Sequence, residues 1–364
     1  MQYNLQRLAT FIVLTLFSGL IFFSCKVDDS PAPSVSAQDG YFIINEGGFG
    51  NANTTLSFYN RQDNSVLNNV FRNANNRPLG DQTQSMTIFD GRGFIVVQNS
   101  SKVEVIDRET FESLATIGPD EGIISPRHFV GINPTKGYVT DWGADGLSGT
   151  LKVLDLDSYQ VTSTIPIGAG PNELILIDNR VYVTNSGGLG SDNTVVVVDP
   201  QTDTIVNTIV VGDNPSSLTT DAEGSIWVVG GGKLVYDPVD FSLVEEESTA
   251  GFIARIVNNK VTVKISSDEI NVGPSSVTID PGGQILYFRY KGGVYAMSTT
   301  NTTLPTTPLI DQRFYGLGID PVSGDILAGE APDFSSNGSF LRYSSTGNLI
   351  QGYSVGIAPN SFAF

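Results

Sequence analysis

The sequence predicts an all-β protein: a seven-bladed β-propeller of four-stranded antiparallel blades. Three observations carry this. Apolar residues alternate with a period of two throughout, no segment sustains a helical period, and the chain holds 39 glycines with abundant Val, Ile, Thr, Tyr and Phe. A unit of four short apolar runs separated by polar turns recurs about every 45 residues, the signature of propeller blades. Finally, the chain enters this pattern in mid-unit and ends where a unit should begin. A long β-sandwich or a β-solenoid is the competing architecture.

Residues 1–24 read as a secretory leader. Arg7 precedes an apolar run from Leu8 to Phe23, followed by Ser24 and Cys25, the only cysteine of the chain. Thr10, Thr15, Ser18 and Gly19 interrupt the run, which argues against a permanent membrane span. A cysteine at the processing point makes Cys25 the expected lipidation site, although Phe22-Phe23-Ser24 is not the usual small, aliphatic approach to it. Residues 25–39 then form a tether. It opens with Lys26-Val27-Asp28-Asp29-Ser30, which resembles a surface-export tag of lipoproteins, and continues rich in Pro, Ser and Ala. With Cys25 acylated, no thiol is left for a disulfide, a zinc–thiolate site or cysteine catalysis.

Residues 40–364 make the propeller. The clearest unit lies in mid-chain. GAGPNELILI (168–177) supplies the first strand, VYVTN (181–185) the second, TVVVVD (194–199) the third and TIVNTIVVG (204–212) the fourth. First strands are anchored at Thr83, Pro126, Pro171, Pro215, Pro274, Phe314 and Pro359. One interval, Pro215 to Pro274, is longer and contains the extra stretch YDPVDFSLVEEESTAG (236–251). The chain enters at YFIINEG (41–47), which matches a second strand. TLSFYN (55–60) and SVLNNVF (65–71) follow as third and fourth. The first blade therefore lacks a first strand, and NSFAF (360–364) is one too many at the end. The terminal segment is expected to close the ring beside Tyr41–Asn45, because an open ring would leave two unpaired sheet edges.

Charge narrows the function classes. The chain has 38 Asp+Glu against 20 Lys+Arg, a net charge of −18. That disfavours nucleic acid and anionic lipid as partners.

VYVTN at 181–185, GYVTD at 137–141 and the Val-x-Val-x-Asp runs at 103–107 and 195–199 resemble the YVTN-type (YncE-like) propeller repeat. INEGGFGNANTTLSFYN (44–60) resembles the opening of surface lipoprotein propellers of the BtuG type. The resemblance implies an outer-membrane lipoprotein exposed at the cell surface, which captures cobalamin (vitamin B12) and hands it to a TonB-dependent transporter.

Two loop sets converge on one propeller face: those entering each first strand and those leaving each second strand. The first set offers Gln84, Arg127, Asn172, Ser216, Ser275, Tyr315 and Asn360. The second offers Asn45, Glu46, Asn99, Asp141, Trp142, Asn185, Arg289, Tyr290 and Glu330. Aromatic rings suit a flat ligand, amides suit a fringe of amide groups, and Arg127 or Arg289 suits a phosphate. The same set suits a sugar, and Asn or Ser after Pro also commonly serves only the turn backbone.

No catalytic residue and no metal set is expected. His128, the only histidine, reads as structural. The acidic loops 190–193 and 333–338 lack an ordered calcium spacing. A propeller enzyme acting on glycans or lactones, with Glu46 and Glu330 as paired carboxylates, is the second hypothesis. A scaffold that binds only another protein is the third.

Overall fold

In the computed structural model, the described residues are 39–270 and 272–364. The leader, Cys25 and the tether up to Gln38 lie outside them.

Among the described residues, 27 strands form seven sheets in chain order. The first blade contains β1 (Gly40–Asn45), β2 (Thr55–Asn60) and β3 (Ser65–Leu67). A short helix α1 (Val70–Asn75) leads to the second blade: β4 (Thr83–Phe89), β5 (Arg92–Val97), β6 (Lys102–Asp107) and β7 (Ser113–Ile117). The third holds β8 (Pro126–Asn133), β9 (Lys136–Asp141), β10 (Thr150–Asp155) and β11 (Gln160–Pro166). The fourth holds β12 (Pro171–Ile177), β13 (Arg180–Asn185), β14 (Thr194–Asp199) and β15 (Thr204–Val210). The fifth holds β16 (Pro215–Thr220), β17 (Ile226–Gly230), β18 (Ala250–Val257) and β19 (Lys260–Ile270). The sixth holds β20 (Ser275–Ile279), β21 (Ile285–Tyr290) and β22 (Gly293–Ser298). The seventh holds β23 (Gly316–Ile319), β24 (Ile326–Glu330), β25 (Asn337–Tyr343) and β26 (Leu349–Ile357).

The last strand, β27 (Pro359–Ala363), is the innermost strand of the first blade. It runs antiparallel to β1, with Ile43 opposite Phe362 and Ile44 opposite Ser361. Head and tail thus close the ring in one sheet, as the repeat count predicts.

The core lies between blades. Phe94 and Val96 of the second blade pack on Phe129 and Val139 of the third. Trp227 and Val229 of the fifth meet Phe288 of the sixth. Ile43 and Tyr59 of the first meet Leu327 and Phe340 of the seventh. Each such side chain contributes about 1.5–3 kcal/mol on full burial. Because neighbours cover both faces of a middle strand, Val195 to Val198 of β14 are all buried, which explains an unbroken apolar run. Outer strands such as β15 see solvent and carry Thr and Asn. Gly137 has a steric role: a Cβ there would lie 2.4 Å from the Phe129 ring. That ring stacks on Phe94 with centroids 3.9 Å apart.

Two blades depart from the expected strand pattern. SVLNNVF is not one strand: β3 ends at Leu67, and the backbone turns through a left-handed Asn69 into α1. The sixth blade has three strands. Its fourth-strand position is reduced to a bridge between Val294 and Ile310. Pro305 and Pro308 in this segment lack the N–H groups a ladder needs. The long interval is confirmed and lies between β17 and β18, where residues 231–249 carry a small Tyr236–Leu243 bridge.

Candidate functional site

First strands do not enter the ring smoothly. In six of the seven blades the pairing of first and second strand slips near the anchor, as between Pro171 and Leu174 or between Pro126 and Phe129. Such a bulge re-aims the side chains just past the anchor. They gather at the mouth of the central channel.

The centre of that mouth is Glu46, at the end of β1. Its Oε2 accepts a hydrogen bond from the Tyr315 hydroxyl. Its Oε1 accepts one from Gln84 Nε2 at 3.1 Å and a longer one from Gln82 Nε2 at 3.4 Å. Asn360 donates to Thr83 O at 2.9 Å and also steadies the Glu46 carboxylate. Arg127 stretches across the third blade. It donates through Nη1 to Gln98 Oε1 at 2.5 Å and through Nε to Asn172 Oδ1 at 3.3 Å. Its guanidinium lies 4.2 Å from the centroid of the Trp142 ring, a cation–π contact. Trp142 in turn donates to Pro171 O at 3.0 Å. Asn172 donates to Ser216 O at 2.7 Å. Arg289 donates to the backbone oxygens of Phe314 and Tyr315, and to Ser276 Oγ at 2.8 Å.

These contacts form two groups: Glu46, Gln84, Asn360, Tyr315 and Arg289 make one, and Arg127, Trp142 and Asn172 make the other. The charges of Glu46 and Arg127 act on each other between the two groups.

Other nominated residues join neither group. Asn45, Asp141 and Asn185 are 0% exposed. Asp141 accepts hydrogen bonds from the backbone N–H groups of Ile124, Ser125 and Gly143. Asn45 donates to Thr55 and Ser57, and Asn185 donates to Thr194. The recurring glycine of the Gly-x-x-Pro opening explains the burial. A Cβ on Gly168 would sit 2.2 Å from Asn185 Nδ2, and one on Gly356 would sit 2.9 Å from the Asn45 side chain. The incoming loop thus lies directly on these amides. Tyr290 is also buried, its hydroxyl on Ser267 and its ring in the core between the fifth and sixth blades. Asn99 and Glu330 lie off the centre, where they are held by Asp81 and Gln312.

Two residues one step further along the first strands matter more than the reading at the anchors suggested: His128 and Glu173. Burial, then Arg127 beside it, pushes His128 down to about 3, so its imidazole is neutral at neutral pH. Burial raises Glu173 to about 7, against the Leu218 N–H that donates to its carboxylate at 3.0 Å. Comparing the second residue after each anchor would have exposed Glu173. Burial also raises Glu46, despite its bonds to Tyr315 and Gln84. Burial lowers Arg127 to about 10, with Glu46 opposing. The mouth thus presents neutral or reluctantly charged carboxyls, amides, a phenol and two guanidiniums.

The rim above is apolar. Phe334 meets Tyr315 edge-on at 4.9 Å and is 49% exposed. Phe49 is 74% exposed. The loops that carry these two residues touch near Gly48. Among the described residues, no group of His, Cys, Asp or Glu side chains is placed to hold a metal ion. No helix of the described residues is long and apolar enough to cross a membrane.

The sequence profile of a family described as "Domain of unknown function (DUF5074)" matches residues 39–355. No curated protein matches. Among solved structures, the chain resembles a quinonprotein alcohol dehydrogenase-like protein from Bacteroides thetaiotaomicron. That match has TM-score 0.65 and 14% identity over 90% of this chain and 78% of the other. It also resembles a functionally unknown protein from Desulfotomaculum acetoxidans, with TM-score 0.62 and 13% identity over 89% and 97%. A third similar structure is the hydrazine synthase of Kuenenia stuttgartiensis, with TM-score 0.57 and 14% identity over 78% and 89%. Identities this low show a shared propeller fold and nothing about activity.

Proposed function

The chain belongs to the DUF5074 family, and we propose that this member is a non-catalytic capture protein that holds a small nutrient at the channel mouth. One observation carries the reading. Glu46, Gln84, Arg127, Tyr315 and Asn360 converge from four blades beneath the exposed rings of Phe49 and Phe334. A recessed polar floor with an aromatic rim suits a broad ligand with an apolar face and amide or hydroxyl edges. Cobalamin is the leading candidate, since its flat ring carries a fringe of amides and a phosphate. In this reading Cys25 is acylated and tethers the propeller to the outer membrane, facing outward. A TonB-dependent transporter is then the recipient of the ligand.

The test is direct. The detergent-solubilised full chain is mixed with cyanocobalamin at micromolar concentration and passed over a sizing column. Red colour travelling with the protein, and weakened by Arg127→Ala, supports the proposal. Colour that separates completely from the protein refutes cobalamin as the ligand. Labelled palmitate incorporated by the parent and not by Cys25→Ala supports the anchor; equal labelling refutes it.

A further inference from the structure

The loops leaving second strands differ in length around the ring. They span 46–54 in the first blade, 142–149 in the third, 231–249 in the fifth and only 291–292 in the sixth. That last connection is a two-residue hairpin turn with left-handed Lys291 (φ 44°) and Gly292 (φ 79°). Where the other blades raise a loop, the sixth leaves a notch. The notch is a cavity of about 220 Å³, walled by Ser275, Arg289, Lys291, Gly292, Arg313 and Phe314.

Three cations around one small cavity are out of keeping with a chain of net charge −18. Lys291 is already matched by Asp268 at 2.9 Å and Glu269 at 2.6 Å. Neither arginine has such a carboxylate in contact. Arg313 is exposed, and Arg289 is half-buried; among the described residues neither forms an ion pair with a carboxylate. Arg289 is held rigidly through both terminal nitrogens, on Phe314 O, Tyr315 O and Ser276 Oγ. Its Nε–H is buried and has no acceptor. Arg61 shows how the Nε side of a guanidinium can grip a carboxylate: it holds Asp320 through Nε at 3.2 Å and Nη2 at 2.7 Å. The Glu173 carboxyl acts on Arg289 only from beyond ion-pair distance and is itself raised to about 7, so an anion in the notch would gain a charge-assisted contact.

We propose that the notch over the sixth blade is an oxyanion subsite, in which Arg289 and Arg313 hold a carboxylate or phosphate group between them. The fixed Arg289 supplies geometry. The exposed Arg313 closes on the anion from the other side, and the Gly292 turn lets the ligand approach the backbone closely.

The subsite is tested apart from the capture reading, by calorimetric titration of the full chain with inorganic phosphate and, separately, acetate at low ionic strength. Saturable binding of either anion is expected, and the tighter of the two identifies the headgroup. Arg313→Gln, at an exposed position, should leave the melting temperature unchanged and weaken binding roughly tenfold. No saturable heat from either anion up to about 10 mM would overturn the proposal. So would an Arg313→Gln chain that binds as tightly as the parent. Anion binding without retention of cyanocobalamin would uphold this subsite while removing cobalamin as the captured ligand. Retention without anion binding would do the reverse.

Discussion

The Tyr315 hydroxyl of the seventh blade donates to the Glu46 carboxyl at the end of the first blade's β1 strand. One hydrogen bond therefore spans the seam where the ring closes and also lies at the centre of the channel mouth. Closure and site share this contact, so the seam can be tested through either.

Removing the phenol should separate the two roles. Tyr315→Phe keeps the ring against Phe334 and deletes the donor to Glu46. A loss of about 1 kcal/mol in stability is expected. Losing that bond should also raise the Glu46 carboxyl further, since the Tyr315 bond now lowers it. Urea melts and carbon-13 NMR of the Glu46 carboxyl check both. An unshifted Glu46 titration would show that the contact does not form in solution.

Truncation tests the seam itself. A chain ending at Ile357 loses β27 and exposes the edge of β1. It should aggregate or lose cooperative unfolding. The milder Phe362→Ala removes a ring packed near Phe340 and should cost about 2–3 kcal/mol. A truncated chain that melts cooperatively at the parent's temperature would contradict the closure.

Two buried carboxyls should give opposite pH dependences. Glu173 is raised to about 7 from a usual 4.5. A raised carboxyl favours the folded state most below the unfolded value, and this advantage is lost as pH rises toward 7. Glu173→Gln should therefore gain on the parent by on the order of 1–3 kcal/mol between pH 4.5 and 7.5. Burial alone would also raise Glu104, but hydrogen bonds from Arg77, Lys102 and Ser113 hold it below its usual value. Its contribution is present above the unfolded value and is lost as pH falls through the folded one. Glu104→Gln should cost about 3 kcal/mol at pH 7 and progressively less in acid. Chemical melts across pH 3–8 read both slopes, and two slopes of the same sign would refute the assignment.

Asn185 should behave as part of the frame. Asn185→Ala removes the bond to Thr194 beneath the incoming Gly168 loop and should cost about 1 kcal/mol. Per folded molecule, cyanocobalamin retention should match the parent. A stable variant that no longer retains the ligand would return Asn185 to the binding surface.

Blade number, strand order and ring closure were legible in the sequence because they rest on local, repeated patterns. A two-residue apolar period marks a strand wherever it occurs, and the Gly-x-x-Pro openings at 168, 212 and 356 count the units. SVLNNVF misled because apolar content alone does not show that Asn69 adopts a left-handed turn. The missing fourth strand of the sixth blade could have been read from Pro305 and Pro308, whose lack of N–H groups is a local property.

The sequence by itself determined the ring, because hydrophobic period and turn chemistry act within a few residues. Tertiary structure decided which polar residues serve it. Asn185 and Asn172 are both amides near a blade opening. One lies under a glycine loop and the other bridges to the fourth blade's neighbours across the channel. The physical reason is that strand-entry bulges and the approach of the adjoining blade set each side chain's direction and solvent access. Those arise only when sheets far apart in the chain are packed together.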